Sequence, residues 1–159
     1  MALLLLSLVV AGVMPLLTTG DQAYQEGWRR QEMVRNAQVA LDRIARDFVR
    51  AATVHQASGG TLRFDVVTET GFETVEYSIG ADGDLTYRTG GNAPQPLAGP
   101  FASFRIDCFG AAGQDVSCNN TALVRQVGLT LEAADPRPDP LRGPVPELQV
   151  RTRVARRVP

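Results

Sequence analysis

The stretch from Val34 to Ala52, VRNAQVALDRIARDFVRAA, carries apolar side chains at Val34, Ala37, Leu41, Ile44, Phe48 and Ala52, in steps of three or four. That period is the signature of an amphipathic helix. The opposite face carries Arg35, Gln38, Asp42, Arg46 and Arg50. Asp42 with Arg46, and Arg43 with Asp47, stand at i,i+4 and suit a solvated helix surface. The stripe Val34, Ala37, Leu41, Ile44 and Phe48 is therefore expected to pack against a sheet. Tyr24 and Trp28 extend the apolar positions towards the N-terminus, and no strong breaker lies between Pro15 and Ala52. The pattern predicts one long helix, kinked at Pro15 and closed by His55 and Ser58-Gly59-Gly60. About 50 residues of helix would span ~75 Å.

Working outward, Met1 to Gly20, MALLLLSLVVAGVMPLLTTG, carries no charged side chain, and the first charge is Asp21. Its apolar residues Leu3, Leu4, Leu5, Leu6, Leu8, Val9, Val10, Val13, Leu16 and Leu17, together with Pro15, read as a membrane or filament-core helix. A membrane helix tolerates a proline better than a soluble one. A cleaved signal peptide would begin with a positive segment and end in small residues, and Leu16-Leu17-Thr18-Thr19-Gly20 is a poor cleavage site. A buried soluble helix of this kind would be unusual, because it is apolar on all faces. The expected division is therefore residues 1–20 as the hydrophobic segment and 21–159 as the amphipathic helix with its sheet domain. Tyr24 and Trp28 would sit near the membrane interface.

Beyond Gly60 the periodicity changes to two. Leu62, Phe64 and Val66 alternate with Arg63 and Asp65, and Val75, Tyr77 and Ile79 repeat the pattern. Asp82-Gly83 is a hairpin signal, followed by Leu85 and Tyr87. Gly90 to Pro96 reads as a loop. Further inward sets are Phe104, Ile106 and Cys108, then Val127, Leu129 and Leu131, then Leu148, Val150, Thr152 and Val154. The proline-rich run Asp135 to Pro140 cannot form a central strand. The fold class expected is α+β, a long N-terminal helix packed on an antiparallel sheet.

Composition sets outer bounds. The chain has 159 residues, 44% hydrophobic and 21% charged, which excludes wholesale disorder. Sixteen basic residues against seventeen acidic give a net charge of −1, and a nucleic-acid partner is not expected. Cys108 and Cys118 enclose a short loop. Beyond a membrane helix, in an oxidising compartment, they are expected to form a disulfide; two unpaired thiols are the alternative. With one histidine and no CxxC, no metal and no cofactor are expected. His55 lacks the partners of a catalytic base and suits a helix C-terminus. Asp82-Gly83-Asp84 lacks the rest of a calcium loop. Asn119-Asn120-Thr121 matches a glycosylation sequon. Arg151, Arg153, Arg156 and Arg157 read as the wet side of the last strand and its tail, without the aromatic residues that stack on bases. No constellation points to an enzyme.

The run Ala2 to Leu17, then Gln22-Ala23-Tyr24 and Gln31-Glu32, then Ala37 to Phe48 (AQVALDRIARDF), resembles the type IV pilin-like family. Within it, the layout resembles a minor pilin or a J-like pseudopilin of type II secretion. The short basic leader, the cleavage motif and the early glutamate of that family are not found in this sequence, and Met1 is expected to lie inside the hydrophobic helix. The resemblance implies a non-enzymatic subunit anchored in the inner membrane by its N-terminal helix, with a periplasmic domain. It would assemble with other pilins or pseudopilins and the pilus assembly machinery into a type IV pilus or type II secretion filament. The alternative is a secreted or membrane-tethered β-rich module that binds a ligand through the loops Gly90–Pro100 and Ala133–Pro146.

Overall fold

The structure is a computed structural model that describes Tyr24, Gly27, Trp28 and residues 31–133 and 149–157. The chain divides into two units, Met1–Val34 and Arg35–Pro159. In the first, Tyr24, Gly27 and Trp28 are helical, and the two aromatic side chains are exposed.

The expected long helix is corrected here. The described residues contain one helix, α1, over residues 31–49, and antiparallel strands dominate the rest. Among the described residues no helix is long and apolar enough to cross a membrane. The anchor residues Leu3 to Leu17, with Pro15, lie outside the described residues.

α1 ends without glycine or proline. The Arg50 amide donates to the Asp47 carbonyl at 3.1 Å, tightening the last turn, and the chain leaves as β1 (Ala51–Ser58). β1 is where the expected helix fails, and its register explains why. Ala51, Val54 and Ala57 are its buried residues, three apart as on a helix. They face Val66, Phe64 and Leu62 of β2 (Thr61–Thr68), which are two apart. Register shifts between Ala51 and Thr53 and between Val54 and Gln56 absorb the difference. Gly59 and Gly60, at φ 63° and 72°, then form the two-residue turn into β2. Both positions need a positive φ in this type of hairpin.

β2, β3 (Gly71–Ile79), β4 (Leu85–Thr89) and β5 (Gln95–Ala98) continue in order, giving a five-stranded antiparallel meander β1-β2-β3-β4-β5. β5 begins within the segment Gly90 to Pro96 expected to be a loop and runs on to Ala98. Pro96 is tolerated there because β5 is an edge strand. A second, three-stranded antiparallel sheet has the order β6-β7-β8, with β6 at Phe101–Phe109, β7 at Gln126–Ala133 and β8 at Gln149–Ala155. A single 3₁₀ turn, Thr121–Leu123, lies between β6 and β7.

One core joins α1 to both sheets. Ala37, Ala40, Leu41, Ile44 and Phe48 meet Leu62, Phe64, Val75, Tyr77 and Leu85 from the first sheet and Phe104, Val127, Leu129 and Leu131 from the second. Phe48 and Phe64 pack edge to face at 5.4 Å. The β3–β4 loop ties the sheets together, since the Phe101 amide donates to the Gly83 carbonyl at 2.8 Å. Gly83 has φ 81°, and a Cβ there would meet the Phe101 carbonyl at 3.1 Å, so glycine suits the position twice over.

Candidate functional site

The helix stripe lies where the period puts it. Ala37, Leu41, Ile44 and Phe48 are buried, whereas Val34, the last residue of the first unit, is half-buried and not part of this core. Ala40, fully buried, belongs to the stripe although its spacing did not single it out. Arg43 and Asp47 are half-buried, and each also meets the first sheet. The Arg43 guanidinium sits 4.1 Å from the centre of the Tyr87 ring, and Asp47 accepts a hydrogen bond from the Tyr77 hydroxyl. Each gains a tyrosine partner from the sheet, which outweighs a weak pair with the other.

Alternation sends the polar residues of β2, β3 and β4 to the outer face of the first sheet. His55, expected at a helix C-terminus, is instead a strand residue at the second register shift of β1, with Nε2 2.8 Å from Asp65 Oδ2. The Thr74 hydroxyl donates to Asp65 Oδ1 at 2.7 Å. Burial pushes the Asp65 carboxyl up, but the Thr74 and His55 hydrogen bonds outweigh it and hold the group below its ordinary value. Across the sheet Arg88 donates to Glu76 at 3.0 Å. Arg63, Thr74, Glu76, Arg88 and Gly90 line a shallow depression of about 140 Å³. Its lining is polar and of both charges, and its volume is well below the ~300 Å³ at which organic ligand pockets begin.

The outer face of the second sheet has a different balance. Arg105, Thr130 and Arg151 form one cross-strand row, and Asp107, Gly128 and Arg153 form the next. Arg105 and Arg151 share the Asp107 carboxylate at 3.4 and 3.3 Å. Arg153 lies 3.8 Å from the centre of the Phe109 ring and donates to Gln126 Oε1 and the Gly113 carbonyl. Ser103 and Gln149 both donate to Glu132 at the other end of this face.

Cys108 and Cys118 are brought to bonding distance, with sulfurs 2.05 Å and Cα atoms 5.3 Å apart. The enclosed loop folds back on itself, for the Val116 amide donates to the Cys108 carbonyl at 3.0 Å and Gly110 to Gln114 at 2.8 Å. Arg153 fastens this loop to β8 through Gly113.

The remaining sequence candidates are scattered. Asp82-Gly83-Asp84 forms part of the β3–β4 loop, and among the described residues no three His, Cys, Asp or Glu side chains converge on a metal position. Asn119 is exposed. Arg151 and Arg153 do point outward from β8, whereas Arg156 turns back and donates from its guanidinium to the Ala52 carbonyl at 2.8 Å. The expected inward residues Val150, Thr152 and Val154 of β8 are more covered than their neighbours, and Leu148 lies outside the described residues. Of the two loops considered for ligand binding, Gly90–Pro100 contains β5, and Ala133–Pro146 lies outside the described residues after Ala133. Sequence reasoning missed the outward faces as units, since which polar residues become neighbours depends on strand register. The exposed Phe72 beside a Thr-Glu-Thr-Gly turn was the one local signal of the hairpin tip. Neither a family model nor a curated protein matches the chain.

Proposed function

We propose that the chain is a non-enzymatic assembly subunit of the minor pilin or pseudopilin kind, held at the inner membrane by its apolar N-terminal segment. The β-rich domain faces the periplasm and joins other pilins or pseudopilins, in a type IV pilus or a type II secretion filament. The observation that carries this reading is the run of 20 residues, Met1 to Gly20, with no charged side chain. Such a surface is equally at home in lipid and among apolar helices of neighbouring subunits, so transfer between them need not expose it to water. The cysteine pair at bonding distance supports an oxidising compartment for the domain behind it.

Membrane fractionation of the full chain beside a version beginning at Asp21 tests the anchoring step. The full chain is expected in the membrane pellet and the shortened one in the supernatant. Equal partition of the two overturns the reading. N-terminal sequencing of the full chain after export is a second test. Cleavage near Gly20 would point to a secreted binding module.

A further inference from the structure

The hairpin joining β2 to β3 ends in an exposed stretch, Glu69-Thr70-Gly71-Phe72-Glu73. Phe72 is 72% exposed, and Val67, its direct cross-strand partner, is 51% exposed. An adjacent aromatic and aliphatic pair left this far in water is the type of surface that association covers. Glu69, in the turn, stands beside it, whereas Glu73 pairs with the buried Val66 and leaves from the other face of the hairpin. Among the described residues Glu69 forms no ion pair.

The second sheet offers the complement. Arg105 and Arg151 project from its outer face with side chains 76% and 65% exposed, and their one shared acceptor is Asp107. Each guanidinium has five N–H donors, so most of them still face solvent. Thr130, between the two arginines, keeps the row low enough for a ring to approach. Arg153, fixed against Phe109 and Gln126, extends the positive charge along β8. The hairpin tip and the arginine row belong to different sheets. A net charge of −1 sets up little repulsion between copies.

We propose that the β2–β3 hairpin tip of one copy docks on the arginine row of a second copy of this chain. Phe72 lies against the guanidinium planes of Arg105 and Arg151, and Glu69 takes up their outward donors. The two patches differ, so the contact is heterologous, and its repetition builds a ring or an open chain. The inference rests on the assembly reading and deepens it by naming a second copy as partner of the described domain.

The test is cysteine cross-linking of two differently tagged full-length chains co-expressed in membranes. One carries Thr70→Cys in the hairpin turn, the other Thr130→Cys, a change of similar size in the arginine row, and both keep Glu69, Phe72, Arg105 and Arg151. The expected product is a disulfide-linked pair bearing both tags, with no Thr70→Cys homodimer. Reversing the tip with Glu69→Arg should lower the yield by about tenfold. Arg105→Glu with Arg151→Glu in the partner should restore it, which also shows that both variants fold. Absence of the mixed pair, a yield indifferent to tip reversal, or failure of the rescue each overturns the inference. Fractionation and cross-linking fail separately: a chain found in the supernatant that still forms the mixed pair removes only the anchoring step.

Discussion

The hydroxyl of Tyr77, near the end of β3, donates a hydrogen bond to the carboxylate of Asp47, in the last turn of α1. Tyr77 is wholly buried, its ring 6.3 Å from that of Phe64 and 5.2 Å from that of Tyr87. One turn earlier on the helix, Arg43 covers Tyr87. Apolar packing alone would let a helix slide along a sheet, and these two polar contacts set its position.

Tyr77→Phe should therefore destabilise the domain by about 1–2 kcal/mol, the range for a hydrogen bond to a charged group that is half-buried. Asp42→Asn, on the exposed side of α1, should stay within about 0.5 kcal/mol. Urea unfolding midpoints at unchanged slope are the measurement. Burial first, and the Asp47 hydrogen bond second, push the Tyr77 phenol well above its usual 10. The folded state thus holds that proton more tightly than the unfolded one. The stabilisation is present below pH 10 and is lost as pH rises beyond it. The wild-type chain should lose stability more steeply than Tyr77→Phe in that alkaline range.

Acid acts at the other face of the sheet. Asp65 is held below its ordinary 3.8 because the Thr74 and His55 hydrogen bonds outweigh the opposing effect of burial. A depressed carboxyl contributes stability above pH 3.8, and that contribution disappears as pH falls through the folded-state value. Thr74→Val removes the 2.7 Å bond and should cost about 1 kcal/mol at neutral pH. The difference from wild type should shrink as the solution is acidified, read as denaturant midpoints across an acid series. A difference that stays constant into strong acid would show that Thr74 acts through packing instead.

Cys108 and Cys118 close a loop of ten residues' separation. Restricting the unfolded chain over that length is worth about 2–3 kcal/mol in the loop-entropy account. Cys108→Ser with Cys118→Ser should lower the thermal midpoint accordingly. Alkylation of the unreduced, denatured chain should label neither cysteine.

How far the sequence reveals this fold depends on whether a strand keeps strict alternation. β2 was fully legible, since Leu62, Phe64 and Val66 are its buried residues. β7 was equally so through Val127, Leu129 and Leu131. The stripe of α1 was legible from Ala37 to Phe48 because nothing interrupts its period. β1 was not, because its two register shifts turn a period of two into a period of three, and three is also a helical step. β5 was hidden by Pro94 and Pro96, which read as loop and are harmless only at an edge. The roles of Arg43 and Asp47 were invisible, since an i,i+4 pair of opposite charge looks the same whether it faces water or two tyrosines. The cysteine pairing was expected from an oxidising compartment beyond the apolar segment, and the two sulfurs are at bonding distance. The tip-and-arginine surface was not legible, because Arg105 and Arg151 are 46 positions apart and become neighbours only through β7.

The unequal steps of β1 and β2 also act as a ratchet. Sliding β1 one position either way would turn Ser58, His55 and Ala52 inward, or else Gln56, Thr53 and Arg50. Each alternative drives a histidine or an arginine into a greasy interior, so the mispaired hairpin has nowhere to rest. The irregularity that disguises this strand is thereby also what leaves it a single place to dock.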